Sequence, residues 1–139
     1  MVQGVRKDDP TRMSVVLFNP NLQEFVWGTE SGWSGFPLPI PYSGTITALG
    51  VFDDVNNHRV LPDKSFTLSV TSLDFSSDGQ VLVSNDISDG GGVILWRYSD
   101  GKFIKSISEY EASCLDFSPD GQTLAVGSNN GIIRLWRAK

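Results

Sequence analysis

The chain has 139 residues, of which 40% are hydrophobic, so it can bury a core without disulfides or metal ions. Its 16 acidic and 11 basic residues give a net charge of −5, which argues against nucleic-acid and anionic-membrane partners. One cysteine excludes an intrachain disulfide, and no stretch approaches the about 20 apolar residues of a membrane span. The N-terminus has no apolar run that would indicate a signal peptide, so we expect a cytoplasmic protein.

Residues 13–62 are predicted to form a first group of four strands, interrupted by an insertion at residues 30–44. Apolar, β-branched runs place these strands at residues 13–18, 23–29, 45–52 and 58–61. Upstream, residues 1–9 include Val2 and Val5 and are either a closing strand or a frayed terminus.

The insertion is the part of the chain that is most typical of a binding loop. Prolines at positions 37, 39 and 41 favour an extended path, because proline cannot donate to a β-ladder. Trp33, Phe36 and Tyr42 are candidate interaction residues, since exposed aromatic residues are enriched at binding hot spots. The alternative is that the three aromatic rings fold back over the end of the domain.

Residues 66–108 are predicted to form a second group of strands, and residues 112–139 a third group that lacks its outer strand. The strands are placed at residues 70–75, 81–84, 93–97 and 102–107, and then at 113–117, 123–126 and 132–136. Turn residues separate them: Pro119 pre-sets φ and Gly121 closes the first turn of the third group. Asn130-Gly131 is a strong hairpin signal for its second turn.

One sequence unit occurs twice in these two groups. The segment LDFSSDGQ contains Asp74, Phe75, Asp78 and Gly79, and LDFSPDGQ contains Asp116, Phe117, Asp120 and Gly121. A strand that ends in tryptophan follows each segment, with Trp96 in the first unit and Trp136 in the second. The two phenylalanines are 42 residues apart and the two tryptophans 40. The segment FNPNLQ, from Phe18, is a divergent third copy in which Leu22 replaces the glycine.

These residues and their spacing resemble the WD40 repeat, the blade of a β-propeller, which recurs every ~40–45 residues. The resemblance implies an all-β fold of four-stranded antiparallel blades, about three in this chain. It also implies a hydrogen-bonded Trp-Ser-His-Asp set, but the family's Gly-His pair is absent here. Arginine replaces aspartate after Trp96 and Trp136, so we expect both tryptophans to act mainly in packing.

Three blades do not close a ring, because propellers hold about 4–8 blades. An open arc leaves apolar end faces and unpaired strand edges, which favour association. We therefore expect two chains to form a six-bladed homodimer, with residues 1–9 completing the partner's last blade. The alternative is that the chain is a piece of something larger, either an excised segment or a fragment that completes the incomplete propeller of a larger protein.

Catalytic chemistry has little support in the sequence. His58 is the single histidine and is predicted to lie on the surface, and Cys114 opens an apolar strand and is predicted to be buried and inert. Asp86 and Asp89 are more typical of turn capping than of a cation site, so no metal or cofactor is expected. The predicted function is a non-catalytic scaffold that binds other proteins.

Two other functions are weaker alternatives. A small-ligand or glycan site would use aromatic residues such as Trp27, Trp33 and Tyr42, but this aromatic loop occurs only once in the chain. A hydrolase would need aspartates that converge in a central channel, and the sequence contains no feature that predicts such a cluster.

Overall fold

In a computed structural model, the chain is an all-β protein, which confirms the fold class predicted from the sequence. The structure describes residues 12–19, 21–30, 46–50, 59–60, 70–85, 92–107 and 111–138. Every regular element in these ranges is a strand. No helix with the length and apolar character needed to span a membrane occurs among them. The predicted closing strand at residues 1–9, with Val2 and Val5, lies outside the described residues, as do Trp33, Phe36 and Tyr42.

The strands form three antiparallel sheets in which each strand pairs with the next one along the chain. The first sheet contains β1 (Arg12–Asn19), β2 (Glu24–Glu30), β3 (Ile46–Gly50) and β4 (Arg59–Val60). The second sheet contains β5 (Leu73–Phe75), β6 (Val81–Asn85), β7 (Val93–Arg97) and β8 (Lys102–Ile107). The third sheet contains β9 (Ala112–Phe117), β10 (Thr123–Ser128) and β11 (Ile133–Arg137). Each of the eleven strands predicted within residues 13–136 overlaps one of these, whereas the predicted domain limits stay predictions.

The first hairpin of each sheet has the same register. Phe18 lies opposite Phe25, Phe75 opposite Leu82, and Phe117 opposite Leu124. Gly79 and Gly121 close their turns with φ of 68° and 69°, a conformation that glycine adopts without a Cβ clash. In the first sheet, where Leu22 replaces glycine, the left-handed residue is Gln23, with φ of 52°. The divergent copy therefore keeps the register although its turn differs.

Each sheet has two faces, because side chains alternate along a strand. We call backward the face that carries Leu82 and Trp96 in the second sheet, and forward the face that carries Val83 and Leu95. The same names apply to the other sheets through the common register. The backward face of a sheet points toward the preceding sheet, and the forward face points toward the following one.

The core lies between the sheets, in two clusters. The first cluster joins the first and second sheets through Val26, Val70, Leu73, Leu82, Ile94, Trp96 and Tyr98, with Val15, Leu17 and Phe75 against it. The second joins the second and third sheets through Val83, Val93, Ile107, Ala112, Leu115, Leu124 and Val126, with Leu95 and Phe117 against it. The second sheet is therefore covered on both faces.

Candidate functional site

The two Asp-Gly turns are built by the same hydrogen bonds. Ser76 Oγ donates to Asp78 Oδ1 at 2.6 Å, and Ser118 Oγ donates to Asp120 Oδ1 at 2.5 Å. In both turns, this carboxylate oxygen also accepts the backbone N–H two residues further on, at 3.0 Å. The serine hydroxyl is the main cause that lowers the pKa of Asp78 and of Asp120. These two aspartates therefore hold their turns.

Asp74 joins the second sheet to the third. One carboxylate oxygen accepts the N–H of Phe75 at 2.8 Å, and the other accepts the N–H of Phe117 in β9. Burial raises the pKa of Asp74, although both backbone donors act in the opposite direction. Two residues earlier, Ser72 Oγ accepts the N–H of Leu115 at 3.0 Å. The forward side of the second sheet thus supplies oxygen acceptors to the backbone of the next sheet.

Asn85 makes a further connection between these sheets, and it was not predicted from the sequence. Its side chain is fully buried, and Oδ1 accepts the N–H groups of Thr71 and Ser72 at 2.9 and 2.8 Å. Its Nδ2 donates to Thr71 Oγ1 at 2.6 Å and to the Ala112 carbonyl at 2.9 Å. Because Asn85 takes these N–H groups, β5 begins at Leu73 and is shorter than the predicted strand. The sequence feature that could have predicted this role is a polar residue at the end of an apolar strand.

The two signature tryptophans have different environments. Trp96 is 1% exposed and donates its indole N–H to Ser84 Oγ at 2.9 Å. Trp136 is 39% exposed, and Val126 holds the register position that Ser84 has in the second sheet. Trp96 therefore packs in the core, whereas the packing role of Trp136 stays a prediction. In the described part of the chain, β8 covers the outer edge of β7, whereas β11 pairs only with β10.

The forward face of the third sheet repeats a face that is covered in the second sheet. Ile133 and Leu135 are 73% and 64% exposed, whereas Val93, at the position equivalent to Ile133, is fully buried. Asp116 is also exposed, although it holds the register position of Asp74, whose carboxylate accepts a backbone N–H of the next sheet. The third sheet thus presents the same type of contact surface without a neighbouring sheet against it.

The backward face of the first sheet is exposed in the same way. Val16, Phe18 and Phe25 are 57%, 46% and 40% exposed, and the two rings pack against each other with centroids 5.2 Å apart. The equivalent residues of the second sheet are Leu73 and Leu82, which belong to the first core cluster, and Phe75, which packs against it. These two end faces together form the candidate interaction surface.

The comparison with protein families identifies the repeat. Residues 57–97 and 101–137 match the model described as WD domain, G-beta repeat. The chain belongs to the WD40 family. The resemblance predicted from the turn and tryptophan motifs is therefore confirmed, and WD40 repeats indicate a propeller-type module for protein interactions.

Each WD40 repeat of the sequence spans two sheets of the structure. Residues 57–97 begin with β4, the outer strand of the first sheet, and continue through β5 to β7. Residues 101–137 begin with β8 and continue through β9 to β11. The outer strand of one sheet therefore comes from the repeat that builds the next sheet, which ties neighbouring sheets together through the chain itself.

The chain is also similar to a larger plant protein. Over 69 residues it is 36% identical to Protein ROOT INITIATION DEFECTIVE 3 of Arabidopsis thaliana. The match covers 48% of this chain and 15% of that protein. The matched part of the chain therefore corresponds to a small part of that relative.

Of the residues considered for catalysis or ligand binding, the structure describes Cys114 and Trp27. Within the described ranges, no group of three His, Cys, Asp or Glu side chains is placed to hold a metal ion. The prediction that Cys114 is buried is wrong: it is exposed, because it lies on the forward face of the third sheet. Trp27 is half-buried in β2. Outside the described residues lie His58, Asp86, Asp89, Trp33 and Tyr42.

Proposed function

We propose that this WD40 chain is a non-catalytic scaffold that binds other proteins and assembles with itself into a closed propeller. The observation that carries the proposal is the contrast between the second sheet, covered on both faces, and the two end faces. Ile133 and Leu135 at one end, and Val16 and Phe18 at the other, remain exposed in the single chain. Full burial of such a side chain stabilises by about 1.5–3 kcal/mol, so covering both ends favours association.

A homodimer would cover both end faces at once. Two chains supply six sheets, which is within the about 4–8 blades that propellers contain. A two-fold axis through the ring centre would then relate the chains and give each end face one neighbour. We further propose that residues 1–9, with Val2 and Val5, provide the strand that pairs with β11 of the other copy. The proposed location is the cytoplasm.

Binding of other proteins would use surfaces that remain free in this ring. The insertion aromatics Trp33, Phe36 and Tyr42 are the proposed anchors, since aromatic residues dominate many protein interfaces. The acidic net charge of −5 favours protein partners over nucleic acid and over anionic membranes.

Light scattering on a sizing column tests the assembly. The expected mass is twice the 15.2 kDa of the chain. Ile133→Lys should convert the dimer to a monomer, because it places a charge in the covered end face. Ile104→Lys is the matched control: Ile104 is 49% exposed on β8 and lies outside both end faces, so the dimer should persist. A native chain that elutes as a folded monomer would contradict the proposal.

A further inference from the structure

We propose that the junction between two copies is head-to-tail, with the forward face of the third sheet packed on the backward face of the partner's first sheet. In this junction, the Asp116 carboxylate of one copy accepts the backbone N–H of Phe18 in the other. The inference rests on the proposed self-assembly and specifies which surfaces meet, in which orientation and through which polar contact.

The contact between the second and third sheets provides the template. There the forward face of one sheet packs on the backward face of the next through an apolar cluster that includes Val83, Val93 and Leu124. At the inner edge of this contact, Asp74 accepts the N–H of Phe117. The chain therefore already contains one complete example of the proposed junction, with its apolar and its polar part.

Both halves of this template recur at the ends of the chain. Asp116 lies opposite Ala125 in the third sheet, as Asp74 lies opposite Val83 in the second. Phe18 begins the hairpin register of the first sheet as Phe117 does in the third, and β1 and β9 are both edge strands. The backbone N–H of Phe18 and the carboxylate of Asp116 therefore hold the positions that Phe117 and Asp74 have in the template.

The polar contact also selects the orientation. If two forward faces met, the interface would enclose two Asp116 carboxylates without the backbone N–H groups of β1, and an enclosed charge without a partner is unfavourable. In the head-to-tail contact, each carboxylate meets a backbone N–H, as in the bond that Asp74 makes to β9. Each junction then has one charge-assisted hydrogen bond, which is stronger than a neutral one.

Disulfide trapping tests which surfaces meet, because Cys114 is the single cysteine of the chain. Cys114 lies two residues before Asp116, as Ser72 does before Asp74, and Ser72 Oγ is 3.0 Å from the backbone nitrogen of Leu115. The residue of the first sheet that corresponds to Leu115 is Val16, which is 57% exposed. The proposal therefore places the Cys114 thiol of one copy beside position 16 of the other.

The experiment mixes the native chain with a chain that carries Val16→Cys and Cys114→Ser, under mild oxidation. Disulfides between the two different chains should predominate over those between identical chains. The matched control carries Leu22→Cys and Cys114→Ser, because Leu22 is 54% exposed and lies in the turn after β1, six residues from position 16 along the hairpin and out of reach of Cys114 in the other copy. It should yield only the small amount of disulfide that random collisions produce. Predominant native–native disulfides would instead show that two forward faces meet.

Substitution of Asp116 tests the hydrogen bond itself. Asp116→Ala should raise the dimer dissociation constant by about tenfold or more, since a hydrogen bond to a charged group is lost. Asp116→Asn keeps one acceptor oxygen and should restore most of the affinity. Because Asp116 is exposed in the single chain, the circular dichroism spectrum should not change. Equal dissociation constants for the native chain and both variants would overturn the role of Asp116.

The two proposals fail in different ways. A dimeric mass without the 16–114 disulfide would leave self-assembly in place and overturn the head-to-tail junction. A monomeric mass without that disulfide would overturn both. A head-to-tail disulfide together with masses that grow steadily with concentration would support the junction and contradict the closed ring, because such contacts form open chains when they do not close.

Discussion

Asn85 offers the most direct test of how neighbouring sheets are held together. Its side chain makes four hydrogen bonds while fully buried, so Asn85→Ala leaves the N–H groups of Thr71 and Ser72 and the carbonyl of Ala112 without this partner. A typical hydrogen bond contributes about 0.5–1.5 kcal/mol, and a buried polar group left unpaired costs about 1–3 kcal/mol. We expect the free energy of unfolding to fall by about 3–5 kcal/mol, a large part of the about 5–15 kcal/mol typical of a domain.

Urea denaturation followed by tryptophan fluorescence measures this change, with the chain concentration held constant because assembly itself adds stability. The matched variant Asn85→Asp keeps the shape and the two acceptor bonds. It replaces the donor toward Ala112, however, with an oxygen that faces a carbonyl oxygen. Burial and this contact favour the neutral form, so the pKa of the introduced carboxyl should be raised in the folded state.

The sign of the pH dependence follows from this direction. A folded state with the higher pKa binds the proton more tightly than the unfolded state, so stability decreases as the pH rises through the raised pKa. Asn85→Asp should therefore recover stability relative to the native chain as the pH is lowered from about 8 toward the ordinary carboxyl pKa of about 4. A loss below about 1 kcal/mol for Asn85→Ala would refute the reasoning, as would a pH-independent difference for Asn85→Asp.

Three further predictions concern the signature residues. Gly121→Ala and Gly131→Ala both place alanine at positive φ, which lowers the free energy of unfolding by about 1–2 kcal/mol each. Only the Cβ at position 121 also meets a neighbouring side chain, 2.6 Å away. Thermal unfolding should therefore show the larger loss for Gly121→Ala. Trp96→Phe should cost about 2–3 kcal/mol through lost packing and a lost hydrogen bond, and Trp136→Phe less than about 1 kcal/mol in a monomer. Because the pKa of Asp78 is lowered when folded, its stabilisation is lost as the pH falls below its ordinary value of 3.8, and Asp78→Asn should reduce this acid sensitivity in urea titrations.

The strands and the two repeats could be predicted because local chemistry sets them. Turns such as Ser118-Pro119-Asp120-Gly121 fix where a strand ends and the next begins, and hydrogen bonds within the turn stabilise them. Alternating apolar residues then indicate strands whatever their neighbours are. Even the divergent hairpin of β1 and β2 was predicted, because the register that begins at Phe18 depends on turn length more than on the glycine.

The contacts between sheets could not be predicted, because they depend on which side chains meet across different repeats. Asn85 has no counterpart in the third sheet, where Gly127 holds its register position opposite Cys114. The exposure of Cys114 was also missed, since an apolar sequence context does not show which of two faces has a neighbouring sheet. Likewise, Trp96 and Trp136 are equivalent in the sequence but differ in exposure, because among the described residues Trp96 has both an outer strand and a serine partner and Trp136 has neither.

This difference shows how a repeat sequence carries information about assembly. Each WD40 repeat contributes the outer strand of one sheet and the inner strands of the next, so the second sheet is complete because two repeats meet there. The third sheet has its inner strands from one repeat, and within the described residues nothing pairs with the outer edge of β11. An outer strand from another copy would cover that edge, and the partner's first sheet would cover Ile133 and Leu135. Trp136, Ile133 and Leu135 are thus exposed at the place where the repeat pattern calls for a neighbour that the described residues do not supply.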